Sequence, residues 1–118
     1  MGLLMEQKKL VSNLIGNDMS QKLTCVEYEF DDIEDGKRVT IRKGYRGIHL
    51  GELVFESLKR KRKIVVEVVH VIHSLVENIP SSYVKNDGFL DKYDMINQLS
   101  EFYPDINEKT EVTIISYR

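Results

Sequence analysis

The sequence predicts an α+β domain of about five to six mostly antiparallel strands with two or three flanking helices. Three observations carry that expectation. The chain has 118 residues, the size of one domain. Its apolar residues recur with period two in short runs separated by turn-forming tips, so most strands connect as hairpins. Its helical stretches are too few and too short to cover both faces of a parallel, doubly wound sheet.

Taken in order, Leu3, Leu4, Lys8, Val11, Leu14 and Ile15 give a short amphipathic helix, ended by Gly16-Asn17. The period then changes to two, and residues 23–30 read as a strand, with Asp31–Gly36 an acidic turn or one loose helical turn. Val39–Arg42 is a second strand stopped by Lys43-Gly44, and Leu50–Glu56 is a third. Lys59–Lys63 forms a hairpin tip. The strand that follows, Ile64–His73, is apolar at successive positions, which predicts a central strand covered on both faces. Pro80 opens a short helix. Asp91 caps another, whose Tyr93, Ile96, Leu99, Phe102 and Tyr103 recur at helical spacing up to Pro104. Thr110–Tyr117 closes the chain as a strand of β-branched residues.

With 42% hydrophobic residues the chain can bury a core, which excludes disorder as its main state. Cys25 is its one cysteine, so an intramolecular disulfide framework and a cysteine-based zinc site are excluded and a reducing compartment is expected. No apolar run approaches the ~18–20 residues of a membrane span. Met1–Glu6 lacks the long apolar region of a signal peptide, so a cytoplasmic location is expected.

Net charge is −2, but its layout is uneven. Residues 1–36 hold three basic and eight acidic side chains, and residues 64–118 hold four and nine, −5 in each case. The intervening 37–63 carries ten basic side chains against Glu52 and Glu56, a net +8. Such a segment is the footprint of a polyanion-binding face if the fold gathers its charges. It is equally that of a solvated hairpin tip beside an unrelated basic strand.

Five stretches in order resemble the ASCH family, a group of PUA-like β-barrels. They are Ile33-Glu34-Asp35-Gly36-Lys37-Arg38-Val39-Thr40-Ile41-Arg42, His49-Leu50-Gly51-Glu52-Leu53-Val54, the valine strand into Ile72-His73-Ser74-Leu75, Asn86-Asp87-Gly88-Phe89 with the helix into Phe102-Tyr103-Pro104, and Val112-Thr113-Ile114-Ile115. The resemblance covers roughly residues 22–118 and leaves 1–20 as an N-terminal helical extension of a single domain. It departs from the family in a Gly-Lys segment one residue shorter than usual and in Asp87, where Glu is common. The resemblance implies a small barrel whose basic cleft, between the 37–46 segment and the Asp87 loop, binds RNA or a modified nucleoside. The family's small bacterial branch includes N(4)-acetylcytidine amidohydrolases, in which a Lys and a Thr of the Gly-Lys segment act with a Glu. By position, Lys37, Thr40 and Asp87 take those places.

A metal-free amide hydrolase needs a nucleophile, a base and a donor for the developing oxyanion. Lys37 serves as the base only if burial, Arg38 or Arg42 lowers its pKa towards neutrality. Thr40 then orients water or attacks, Arg42 donates to the oxyanion and Asp87 carries the proton to the leaving amine. The alternative is that these are solvated strand charges and a turn. For nucleic acid, Arg38, Arg42, Lys43 and Arg46 supply cations and Tyr45 a stacking surface; about four neutralised phosphates predict a log–log salt slope near −3. A third class is a protein-interaction module with no nucleic-acid role. His70 and His73 stand three apart on a strand, on opposite faces, and no metal-ligand spacing or cofactor motif is present.

Overall fold

A computed structural model describes residues 21–59 and 62–118. Five strands, β1 (Gln21–Cys25), β2 (Val39–Lys43), β3 (Gly51–Ser57), β4 (Lys63–Leu75) and β5 (Glu111–Tyr117), form one sheet in the order β1-β3-β4-β5-β2. β1 pairs parallel with β3, and the other three pairings are antiparallel. Helices α1 (Glu27–Glu34), α2 (Ser81–Asn86) and α3 (Lys92–Leu99) flank the sheet, with a 3₁₀ turn at Val76–Asn78. The α+β expectation holds; the helix read at residues 3–15 lies outside the described residues. Among the described residues no helix is long and apolar enough to cross a membrane.

The sheet separates two cores. Leu23, Cys25, Leu53, Phe55, Val66, Val68, Ile115 and Tyr117 pack on the concave face against Phe30 and Ile33 of α1. Val39, Ile41, Val112 and Ile114 face the other way, against Val84 of α2 and Met95 of α3. β1 and β2 are the two edges of the sheet, yet Arg42 on β2 donates through Nη1 to the Thr24 carbonyl of β1 at 2.9 Å. The sheet therefore curls into a half-barrel, with a side chain spanning the gap that no backbone ladder closes.

Three expectations are corrected. The strand read over 23–30 ends at Cys25, and Glu27–Glu34 is a helix. Its apparent alternation conceals Phe30 and Ile33, three apart on one buried face, while Glu27 and Glu29 favour the positive end of a first turn. β4 is central but not covered throughout: Val65 is 62% exposed and Val69 is exposed too, because α2 and α3 cover the sheet beyond the irregularity at Val68/His70. On α3 the buried anchor is Met95, and Tyr93 points to solvent.

Asp91 caps α3 as expected, accepting from the Asp94 amide at 2.8 Å. Asp91→Ala is expected to lower stability by about 1 kcal/mol. A urea midpoint indistinguishable from the parent would show that the cap contributes nothing.

Candidate functional site

Two glycines set the site residues in place. Gly36 (φ 115°) turns the chain after α1, so that Lys37 folds back towards Glu29 of that helix. Gly88 (φ 99°) does the same after α2, leaving Asp87 at the helix end facing β2. A side chain with a Cβ rarely adopts either angle. Asp87 Oδ2 accepts from the Ile41 amide at 2.9 Å, meeting a backbone donor of an edge strand that no further strand pairs. Its Oδ1 lies in direct contact with Lys37 Nζ. Although one methylene shorter than Glu, Asp87 reaches.

Lys37 and Asp87 therefore touch rather than face each other across a cleft. Lys37 Nζ also lies 3.3 Å from Glu29, whose other oxygen takes Arg42 Nη2 at 2.6 Å. Arg42 continues the chain of contacts through Nε to the Thr40 hydroxyl at 3.2 Å and through Nη2 to Cys25 Sγ at 3.5 Å. Thr40 is fully buried; the Lys37 side chain is 10% exposed, Glu29 20% and Asp87 3%. The cluster is an almost closed acid–base chain whose solvent contact is through Lys37, Arg42 and Glu29.

Burial alone would pull the Lys37 pKa down, but Asp87 and Glu29 offset it and hold the pKa above its ordinary value. The condition for Lys37 acting as a base is not met. Burial raises the Asp87 carboxyl to about 6, with the Lys37 charge countering only part of that. For Glu29 the balance is opposite: burial raises its pKa, and Arg42 and Lys37 bring it below the usual carboxylate value. The Cys25 thiol is pushed up to about 12, chiefly by burial and then by Glu29. It is a buried contact for Arg42, not a nucleophile.

Five of the eight described basic residues of 37–63 meet carboxylates. Lys43 pairs with Asp105 at 2.7 Å, Lys63 with Glu56 at 3.3 Å, and Arg62 with Asp31 at 2.9 Å and Glu34 at 2.7 Å while stacking over Phe30. The acidic α1 supplies most of these carboxylate partners. Arg38 donates to the Ile33 and Lys37 carbonyls, and Arg46 Nε donates to the Lys43 carbonyl; neither pairs with a carboxylate among the described residues. Tyr45 is exposed and stacked on His73.

Glu29 was invisible at the level of sequence because α1 reads as a strand. The spacing Val26–Phe30–Ile33 is the signal that would have placed it. Two surface grooves, one of about 240 Å³ lined by Val76, Tyr93 and Ile96 and one of about 430 Å³ lined by Gly51, Val65 and Arg118, contain none of the cluster's residues. Among the described residues no three His, Cys, Asp or Glu side chains are grouped to hold a metal ion.

A curled five-stranded mixed sheet, with one helix closing its concave face and two packed behind it, is an α+β half-barrel with the fold seen in crystal structures of an ASCH protein. The crystal structure of ASCH from Zymomonas mobilis superposes on this chain with a TM-score of 0.59 at 14% identity, covering 82% of this chain and 65% of that one. Structures of two mutants of the same protein superpose with TM-scores of 0.61, at 14% and 16% identity, covering 82% of this chain and 66% and 67% of theirs. The chain spans about two thirds of the length of these structures, and at such identity the likeness is one of fold. No protein-family model and no curated protein matches it in sequence.

Proposed function

We propose that this ASCH-like domain binds an uncharged modified nucleoside at the Lys37–Asp87–Glu29 cluster and hydrolyses an N-acyl amide on it, with N(4)-acetylcytidine as the reference substrate. The single supporting observation is Lys37, an ammonium held between two carboxylates, one of which has its pKa raised to about 6. A general base poised near neutrality beside a fixed cation is what amide hydrolysis without a metal requires. The pairing of Lys37, Arg42, Lys43, Arg62 and Lys63 with carboxylates favours a neutral ligand over a polyphosphate.

In this reading the roles shift from the sequence-based assignment. Lys37 has three N–H donors and gives two of its directions to carboxylates, leaving one for the carbonyl oxygen of the ligand. Asp87 takes a proton from water as the new C–O bond forms, and the carbonyl π pair moves onto the oxygen facing Lys37. As the tetrahedral adduct collapses, the C–N bond breaks and Asp87 returns the proton to the leaving nitrogen. Glu29 keeps Lys37 charged. Thr40, being fully buried, positions Arg42 rather than attacking.

The test is incubation of purified protein with N(4)-acetylcytidine, with release of cytidine and acetate followed chromatographically. Turnover is expected, insensitive to salt, and reduced by at least about 100-fold in Lys37→Ala. No turnover across N-acylated nucleosides, or a salt slope near −3 with single-stranded RNA, would replace this reading with the interaction module or the RNA binder respectively.

A further inference from the structure

The concave face carries a second feature that the acid–base cluster does not use. Tyr45, 67% exposed, lies on His73 with ring centroids 4.1 Å apart and planes at 20°. Thr113 organises both residues. Its hydroxyl donates to the Gly44 carbonyl at 2.7 Å and accepts from the Arg46 amide at 2.8 Å. With its one proton committed to Gly44, Thr113 can only accept from His73 Nδ1, 3.1 Å away. Nδ1 is therefore the donor, and the ring is fixed in orientation from behind. The Gly44 amide donates to the Glu111 carbonyl at 2.6 Å, and Arg46 Nε to the Lys43 carbonyl at 3.1 Å, so the segment carrying Tyr45 is tied down on both sides.

An aromatic ring held with one face covered and most of its surface in water is a preorganised stacking surface, since its ordering cost is met before any ligand arrives. Its place is equally specific. Arg42, Thr113 and His73 form one row across β2, β5 and β4 on the concave face. The row places the stacked pair on the same face as Arg42, two strands away from it.

We infer that the outer face of Tyr45 is the seat on which a planar heterocyclic base stacks, with His73 as the ring that backs it. This rests on the nucleoside reading of the cluster, and it adds the element that would distinguish a base from any other amide. Arg46 adjoins Tyr45, its amide held by the same Thr113 hydroxyl.

The test uses the full chain and cytidine as probe, with binding followed by titration and by the aromatic-ring resonances of the tyrosines. Cytidine is expected to shift the Tyr45 ring signals upfield, and Tyr45→Ala to weaken binding by about tenfold or more while Tyr45→Phe, which keeps the ring, stays near wild type. Unmoved Tyr45 signals on cytidine binding, or an unchanged KM for N(4)-acetylcytidine in Tyr45→Ala, would overturn the stacking seat and leave the amidohydrolase standing. A wild-type chain that neither binds cytidine nor turns over the acetylated nucleoside would overturn both.

Discussion

Arg42→Ala is expected to destabilise the fold by about 3–5 kcal/mol, the largest effect of any single substitution in the cluster. Arg42 joins the two edges of the half-barrel: it leaves β2, contacts Thr40 on the same strand, and reaches the Thr24 carbonyl and Cys25 on β1. It also neutralises Glu29 at 2.6 Å, so its loss leaves that carboxylate, set in a largely buried position, with Lys37 as its remaining cation. Lysine is not a substitute, because a single ammonium cannot span the same set of partners at once. Arg42→Lys is expected to fall between alanine and wild type. The measurement is urea unfolding with amide exchange read along β1; for a domain of this size the alanine variant's melting temperature falls by roughly 10 °C or more. A loss below about 1 kcal/mol, with β1 exchange unchanged, would mean that the barrel is held shut by its apolar core alone.

That role explains why part of the site was readable from the sequence and part was not. Lys37, Thr40, Arg42 and Asp87 lie in or beside strands and turns whose patterns are strong: β-branched residues at 39–41 and a glycine after each of Asp35 and Asp87. Their convergence follows once the sheet curls. Glu29 was hidden because α1 is eight residues long and buries only Phe30 and Ile33, too few positions for a 3.6-residue period to stand out against a two-residue one. The charge map misled for a related reason. Segment sums cannot show that Asp31 and Glu34 of the same helix face Arg62, or that five of the eight described cations in a +8 stretch that reads as a polyanion surface are paired with carboxylates. The covering of β4 failed at Val65 and Val69 because β-branched composition reports strand propensity, whereas burial of the second face depends on where α2 and α3 land.

Asp87→Asn separates the chemistry of the cluster from its architecture. The amide oxygen keeps an acceptor for the Ile41 amide, so β2 retains its edge contact, while the ionisable carboxyl is lost. Under the hydrolytic reading, kcat/KM of the wild type rises with pH through about 6, as Asp87 becomes the carboxylate that accepts a proton from water, and then levels. The variant is expected to lose about 100- to 10,000-fold in rate at pH 7. Its effect on stability has the opposite sign. Because the folded-state pKa lies above the ordinary 3.8, the native protein binds this proton more tightly than the unfolded chain between about pH 4 and 6. Ionising Asp87 therefore costs stability as pH rises across that window, on the order of 2–3 kcal/mol, and the cost is constant above it. Glu29, whose pKa is lowered, contributes the reverse, a stabilisation lost as pH falls below the usual carboxylate range. The difference between wild type and Asp87→Asn isolates the first term, since Glu29 is common to both. Unfolding free energies at pH 4, 5, 6 and 7 are expected to show the wild type losing ground to the variant up to about pH 6 and running parallel above it. Parallel curves throughout, together with turnover in the variant within threefold of the parent, would remove Asp87 from both the proton transfer and the pH response.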